Sequence, residues 1–197
     1  MMFNPNIITS VKTAGVFLLY KNKFAFMIGP NKSEDKLGVV RLGGHIEGNE
    51  DVITCARREV KEEASVRIDI ASSPITYWKR NWEDVTCEVI DGSIFDIRPL
   101  VIKGDEAGST MLFLAYTQEQ LFPAAETHGI VLLSEQEVFE ICNSRIALST
   151  FVSRGGEFIQ AKAMNLDLEM NAGPHVKFLC DLLIQNDNAI RRFIEQG

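Results

Sequence analysis

Two apolar runs near the N-terminus, TAGVFLLY and KFAFMIG, are separated only by the polar residues KNK. Both runs are rich in β-branched and aromatic residues, which favour an extended chain. The short polar break has the length of a hairpin turn. The sequence therefore predicts a β-hairpin, and with it a fold built on a β-sheet.

The next segment, NKSEDKLGVVRLGGHIEGNE, is rich in glycine and polar residues, so we expect a long loop. A helix should begin near Asp51. Apolar residues then recur at helical spacing and predict the buried stripe of this helix, which consists of Ile53, Ala56, Val60 and Ala64. The charged residues between them should face away from the core.

The rest of the chain reads first as strands and then as helices. Strand-like runs are VRIDIAS, ITYWKRNW, VTCEVI, IRPLVIKG, TMLFLAYT and GIVLL. Ser134 and Glu137 have the spacing of a capping box, which predicts a helix through EQEVFEICNSRIAL. Pro174 suits the first turn of a final helix with one apolar side, formed by Val176, Leu179, Leu183, Ile190 and Phe193. This order predicts a mixed sheet with helices packed on it.

The composition limits the classes of protein that fit. With 197 residues the chain has room for one sizeable core, and we expect a domain over 1–150 with a helical extension, 151–197, packed on it. A net charge of −7 disfavours DNA and anionic membranes as partners. The apolar runs are too short to span a bilayer, and the start, MMFNPNIITSVK, lacks the features of a secretory signal. We expect a cytoplasmic protein.

The cysteines are scattered along the chain with no close pairing. They are Cys55, Cys87, Cys142 and Cys180. This spacing suits neither a zinc site nor a disulfide framework, so we expect reduced and mainly structural cysteines.

A cluster of carboxylates follows the glycine-rich loop. On a helix, residues three and four apart are neighbours, so Glu59, Glu62 and Glu63 should present their carboxylates along one face. Like charges at this spacing repel, and stability alone would not select them. A hard divalent cation such as Mg²⁺ binds several carboxylate oxygens and removes this repulsion. The alternative is a solvated acidic helix face after a flexible loop.

Two adjacent glycines, Gly43 and Gly44, precede this helix. A Gly-Gly step allows backbone conformations closed to other residues, so the loop can turn tightly and aim a carbonyl at the same ion. Carboxylates from the helix and a carbonyl from the loop together predict a metal site.

The spacing of these residues favours a metal site over a solvated acidic helix face. From Gly44 the chain has five residues, Glu50, seven residues, Arg58-Glu59, an aliphatic residue, one residue, Glu62-Glu63, one residue, Ser65 and Val66. This segment resembles the Nudix box, GX5EX7REUXEEXGU, in which U is a bulky aliphatic residue. Every defining position matches except Ser65, where the box has glycine. At a helix C-terminus this position commonly takes a left-handed conformation, which serine adopts at some cost.

The resemblance implies a Nudix-like α/β/α sandwich and a metal-dependent hydrolase that cleaves a pyrophosphate bond in a nucleoside diphosphate linked to another moiety. By similarity, Glu59, Glu62, Glu63 and the Gly44 carbonyl would bind Mg²⁺ or Mn²⁺. Arg58 would orient the carboxylates and Glu50 would tie the loop to the helix. The implied partner is a small phosphoanhydride substrate, which the resemblance does not specify further.

The general base is open, because in this family it is a box glutamate or a carboxylate from a distant loop. Glu126, in FPAAETHGIVLL, precedes a predicted strand, where a loop could reach the metals, and His128 is the alternative. Both residue types are also common in ordinary loops. His45 is expected to face solvent or substrate rather than metal.

Other features leave alternatives open. YWKRNW could stack a base and pair a phosphate, although sheet packing or a subunit contact is the commoner use of such residues. The tail from about residue 150 could form a dimer interface, cover the substrate or only pack on the core. A Nudix-fold sensor or interaction module without catalysis is the main rival function, because a fold does not guarantee its chemistry. The intact box argues against it.

Overall fold

The computed structural model describes residues 3–124 and 126–196. Within these ranges, twelve strands form one mixed sheet. The strands are β1 Val11–Tyr20, β2 Lys23–Pro30, β3 Leu37–Val40, β4 Leu42–His45, β5 Asp69–Ala71, β6 Thr76–Lys79, β7 Glu88–Ile90, β8 Val101–Asp105, β9 Gly108–Tyr116, β10 Gly129–Leu133, β11 Glu157–Gln160 and β12 Met170–Ala172. The α-helices are α1 Val52–Ala64, α2 Glu135–Asn143, α3 Leu148–Ser153, α4 Pro174–Ile184 and α5 Asn188–Gln196.

The predicted hairpin is confirmed as β1 and β2, which pair antiparallel. Lys21 and Asn22 form the turn, and both have a positive φ, of 50° and 60°. A two-residue turn of this kind matches the twist of the strands that it joins. The sheet continues in the order β11-β10-β2-β1-β9-β8-β6-β7. Because β1 runs parallel to β9, the sheet is mixed, as predicted.

The sheet is covered on both faces. Alternate residues of β1 belong to different core clusters, with Phe17 and Leu19 on one face and Val16 and Leu18 on the other. The face of Val16 packs against α1, and the face of Phe17 packs against α2, α4 and α5. This arrangement confirms the predicted α/β/α sandwich.

The loop predicted for residues 31–50 contains two short strands, so that prediction was incomplete. β3 pairs with β2 and β4 pairs with β1. β4 has the sequence LGGH, which is poor in strand formers, and β3, LGVV, has only four residues, so neither gives a clear local signal for a strand. Tertiary pairing therefore overrides the local sequence signal here.

The predictions for the C-terminal third need three corrections. The helix expected through Leu148 ends at Asn143, because Ser144 and Ala147 are extended and a separate helix, α3, begins at Leu148. The Ile146 carbonyl and the Leu148 amide bond to the later residues Met170 and Leu168. The single final helix is two, α4 and α5, separated by Asn186 with φ 53°. The extension after residue 150 is not only helical, since β11 pairs with β10 and β12 pairs with β3.

Further findings concern the cysteines, the buried side of α1 and the length of the helices. All four cysteines are free, as predicted. In α1 the buried residues are Cys55, Ala56, Val60 and Ala64, whereas Ile53 is only partly buried. Among the described residues, no helix combines the length and the apolar character needed to cross a bilayer.

Candidate active site

Helix α1 is delimited by specific residues at both ends. The Asp51 carboxylate accepts hydrogen bonds from the amides of Ile53 and Thr54 at 2.9 and 2.8 Å and caps the N-terminus. At the C-terminus Ser65 has φ 60° and ψ 26°, the left-handed conformation expected for this position of the box. Between these two ends the helix packs across β1 and β4.

Arg58 joins the loop to the helix. Its Nη2 and Nε donate to the two carboxylate oxygens of Glu50 at 2.7 and 3.1 Å, and Nη2 also donates to the His45 carbonyl at 2.9 Å. Paired bonds of this kind between a guanidinium and a carboxylate fix orientation as well as distance. The bonds from Arg58, with one from the Glu47 amide, lower the pKa of Glu50 to about 2. Glu50 therefore remains ionised and holds Arg58 in place.

The remaining nitrogen of Arg58 connects two of the box glutamates. Nη1 lies 3.0 Å from Glu59 Oε1 and 3.1 Å from Glu62 Oε2. The Glu59 side chain is 13% exposed and the Glu62 side chain 54%. The two carboxylates can thus share one cationic group, with the second of them facing solvent.

Glu63, in the last turn of α1, is partly buried. Its Oε2 accepts a hydrogen bond from the Gly43 amide at 2.7 Å. Burial, with a smaller contribution from the charge of Glu59, nevertheless raises the pKa of Glu63 to about 8. Burial therefore disfavours the charged form of Glu63.

Each of the two glycines is required for a different reason. Gly43 has φ 129°, a conformation that other residues rarely adopt. At Gly44 the requirement is space, since a Cβ there would lie 2.4 Å from Glu59 Oε1. The Glu59 carboxylate therefore rests directly on the Gly44 backbone, and any side chain at Gly44 would displace it.

This donor set fits a hard divalent cation. Carboxylate oxygens from α1 and the Gly44 backbone lie together, and they carry more negative charge than Arg58 neutralises. As the side chains stand, the described ranges contain no group of three or more His, Cys, Asp or Glu side chains arranged to hold a metal ion. The Arg58 guanidinium lies between Glu59 and Glu62, and these two would need to turn towards Glu63 to bind one ion.

A cleft of about 870 Å³ opens beside these carboxylates. Glu59, Glu62 and Glu63 line one part of it, and Glu126 and His128 line the same cleft. The His128 carbonyl accepts hydrogen bonds from the amides of Ala161 and Lys162 at 2.9 and 3.0 Å, so the tail holds this loop. The sequence prediction that Glu126 and His128 could reach the box is thus compatible with their positions, although neither contact tests a catalytic role.

Other residues considered from sequence lie elsewhere. His45 is exposed at the end of β4 and does not line this cleft. Tyr77 and Trp78 are buried in different core clusters, as their alternation predicted, and neither lines the cleft. Tyr77 and Trp78 of the YWKRNW segment therefore pack in the core.

Two buried residues, one in the box segment and one just before it, were not connected with the site from the sequence. Cys55 is fully buried, with its Sγ 3.4 Å from the His45 carbonyl, and burial raises its thiol pKa to about 11. Arg41 is only 8% exposed, and the structure places its guanidinium against the backbone of Gly15 and Gly43. A charged residue directly before an apolar residue and two glycines was the only available signal.

Comparison with models of protein families gives no match to this chain. No curated protein sequence matches it either.

Several solved structures have a related arrangement. A Nudix-family hydrolase from Clostridium perfringens is 20% identical, over 73% of this chain and 92% of its own, with a TM-score of 0.46. An Ap4A hydrolase from C. elegans is 15% identical over 65% of this chain and 83% of its own, with a TM-score of 0.41. A protein from Deinococcus radiodurans is 14% identical over 89% of this chain and 82% of its own, with a TM-score of 0.43. With TM-scores this low, none of these likenesses assigns a family or an activity to this chain.

Proposed function

We propose that this chain is a Nudix-type hydrolase that uses Mg²⁺ or Mn²⁺ to cleave a pyrophosphate bond in a nucleoside diphosphate linked to another moiety. The observation that carries the proposal is the set of contacts made by Arg58, which bonds to Glu50, Glu59 and Glu62 at once. All of these residues belong to the box, although Glu50 lies eight residues before Arg58 in the sequence. A solvated acidic helix face would need none of these contacts.

The metal would be held by Glu59, Glu62, Glu63 and the Gly44 carbonyl. A bound divalent cation would neutralise phosphate oxygens and lower the pKa of a water molecule, which supplies the nucleophile for attack on phosphorus. The raised pKa of Glu63 supports this assignment, because a bound cation would favour the charged form of the carboxyl group that burial, with smaller contributions from Glu59 and Glu62, disfavours. The space that Gly44 leaves for Glu59 supports it as well.

Other residues of the chain would orient the carboxylates that bind the metal. Glu50 holds the Arg58 guanidinium from the loop side, so Arg58 has a fixed position from which to align Glu59 and Glu62. The Gly43 amide fixes one oxygen of Glu63 and leaves the other free. Positioning of this kind matters because a displacement of about 1 Å can lower a rate about a hundredfold.

Glu126 is the proposed general base, and His128 is the alternative. Both line the cleft into which the box glutamates face, and Glu126 is exposed to it. Lys32 lines the same cleft and offers a positive charge to a phosphate group. The substrate would thus lie between the carboxylates and the segment around Lys32.

The test is product release from a panel of nucleoside diphosphate derivatives, measured with Mg²⁺, with Mn²⁺ and with chelator. We expect cleavage of at least one class, dependent on metal. In parallel, the metals should raise the melting temperature, because a ligand that binds only the folded state stabilises it by mass action, by about 2.7 kcal/mol at a hundred times its Kd.

The outcomes separate the possible errors in the proposal. Cleavage that persists in chelator would contradict the metal site. Metal-dependent stabilisation with no cleavage of any derivative, but with detectable ligand binding, would favour the sensor or interaction module over the hydrolase.

A further inference from the structure

The floor of the cleft beside the box carboxylates includes two glycines that face each other. β2 and β3 pair antiparallel, with Met27 opposite Val40 and Gly29 opposite Gly38. All four residues line the cleft. The residues that alternate with them belong to the core cluster of the opposite face, so these four positions lie on the side of the sheet that carries α1. The paired glycines therefore leave a stretch of backbone in the floor that no side chain of its own covers.

The space above one of these glycines is filled and the space above the other is open. A Cβ on Gly29 would lie 3.2 Å from Nδ1 of His128 and 3.3 Å from its Cγ, so this ring occupies the space above Gly29. For a Cβ on Gly38, the nearest atom of the described residues beyond the adjoining ones is the Gly29 carbonyl oxygen, at 3.8 Å. We call the open position over Gly38, which is bounded by His128, Met27 and Val40, the Gly38 seat.

The fold does not itself require glycine at position 38. Gly38 is not among the glycines with a positive φ, so its backbone conformation is open to other residues. β3 lies between β2 and β12 at this point, and a glycine inside a sheet is destabilising because it packs no side chain and loses more conformational freedom on folding. A glycine in such a position often marks the close approach of a ligand to the backbone.

The groups around the Gly38 seat favour a flat and apolar part of a ligand. Val40 and Met27 are partly buried, and the thioether of methionine makes favourable contacts with aromatic rings. Nearby polar side chains are bonded within the protein. Thr127 Oγ1 donates to Met27 Sδ at 3.5 Å, and Asn31 Oδ1 accepts from two amides of its own loop at 3.1 and 3.2 Å. A ring in the seat would therefore be held mainly through contacts with its faces.

We propose that the Gly38 seat holds the nucleobase of the substrate, with the ring against the Gly38 backbone and the His128 imidazole. The seat belongs to the same cleft as Glu59, Glu62 and Glu63, so one ligand can place a base in the seat and a diphosphate at the carboxylates. This assignment rests on the proposed function, which makes the ligand a nucleoside diphosphate derivative. Because every base has an aromatic face, the seat should accept all bases, and purines more tightly than pyrimidines because their rings are larger.

The first test measures the binding of adenosine, which has a ring and no phosphate, by saturation-transfer NMR in the presence of chelator. The measurement needs neither metal nor turnover. We expect wild type to bind adenosine and Gly38→Val to bind it about tenfold more weakly, the effect of losing one stacked base. Ribose, which has no ring to stack, should give no such contact.

Gly108→Val is the matched control for this test. Gly108 is a strand glycine that does not line the cleft, and its Cβ would meet only the flexible end of Lys12. This variant should bind adenosine as wild type does.

The melting temperature without ligand separates loss of binding from loss of folding. Valine favours a strand more than glycine does, so Gly38→Val should melt at the wild-type temperature or above it. If Gly38→Val does not fold, Gly38→Ala takes its place with a smaller expected loss of affinity, because its Cβ would be at an ordinary contact distance. A folded Gly38 variant that binds adenosine as tightly as wild type, or no adenosine binding by wild type, would overturn the seat.

Steady-state kinetics with a cleaved nucleotide derivative give the second test. A base held equally well before and during the reaction contributes uniform binding, so Gly38→Val should raise KM about tenfold and leave kcat close to that of wild type. Metal-dependent cleavage with the wild-type KM in Gly38→Val would overturn the seat and leave the hydrolase in place. Adenosine binding that is lost in Gly38→Val, with no cleavage of any derivative by wild type, would support the seat and contradict the hydrolase.

Discussion

The two faces of the sheet treat charge in opposite ways. On the α1 face Arg58 is matched by Glu50, Glu59 and Glu62 within 3.1 Å. On the α4 face Arg41 is buried and its Nε has no hydrogen-bond partner, and the carboxylates whose charge acts on it are Glu63 and Glu59 of α1. Arg58 bonds to its carboxylates directly, whereas Arg41 acts on Glu63 and Glu59 through its charge alone, with no ion pair among the described residues.

Adjacent glycines separate these two regions. Gly43 leaves room for the Arg41 guanidinium, and Gly44 leaves room for the Glu59 carboxylate. Opposite charges can therefore approach the same short stretch of backbone from opposite faces. The comparison teaches that a Gly-Gly step can leave room for a guanidinium on one face of a strand and for a carboxylate on the other.

The largest expected effect is that of removing charge from the α1 face. Glu62→Gln should lower kcat by about a hundred- to a thousandfold, the usual effect of losing one group that stabilises charge in an active site. The melting temperature should stay close to that of wild type, because the Glu62 side chain is 54% exposed. Steady-state kinetics with saturating Mg²⁺ checks the prediction, with Glu195→Gln, an exposed glutamate of α5, as the control. Full activity of Glu62→Gln would remove Glu62 from the proposed site.

Gly44→Ala tests whether space for Glu59 matters. Because the new Cβ would lie 2.5 Å from the Glu59 carboxyl carbon, the carboxylate must move, and we expect kcat to fall about a hundredfold. Gly108→Ala is the matched control, since its Cβ would meet only the flexible end of Lys12 at 3.1 Å. If both variants have the same kinetics, the Glu59 position is not critical.

His175, on the α4 face, should make the protein less stable in acid. Burial, with the positive charges of Arg41 and Lys103, lowers the pKa of His175 from 6.5 to about 3, so the folded state keeps this imidazole neutral. A group with a lowered folded-state pKa contributes stability above its unfolded pKa and loses it as pH falls towards the folded value. The free energy of unfolding should therefore fall by about 1.4 kcal/mol per pH unit below 6.5.

Denaturant unfolding between pH 6.5 and 4.5, in buffer without phosphate or sulfate, measures this slope while most carboxylates are still ionised. His175→Gln should flatten the slope, whereas His45→Gln, at an exposed position, should retain it. An unchanged slope in His175→Gln would mean that another group carries the pH dependence.

The smallest expected effect concerns the end of the box helix. Ser65 has a left-handed conformation that glycine adopts without a steric cost, so Ser65→Gly should stabilise the protein by about 0.5–1 kcal/mol. Ala64→Gly, one residue earlier and inside the helix, should destabilise it by about 1 kcal/mol. Thermal unfolding of both variants checks the contrast, and a lower melting temperature for Ser65→Gly would contradict it.

Local signals in the sequence predicted the hairpin, helix α1 and the capping box of α2, because turn chemistry and helical periodicity act over a few residues. They failed for β3 and β4, whose pairing depends on distant partners such as Met170 beside Leu37. The resemblance to the box implied that Arg58 orients carboxylates, and Glu59 and Glu62 follow Arg58 closely on the same helix. The burial of Arg41 could not be predicted, since it depends on the packing of α4 from the far end of the chain.

The pairing of β11 and β12 has a consequence for aggregation. These strands cover the outer edges of β10 and β3, and uncovered edges are templates for pairing with other chains. Removing the residues after 150 would expose both edges beside the cleft at once. The C-terminal extension thus places short strands, of four and three residues, at these edges, and short edge strands pair less readily with other chains.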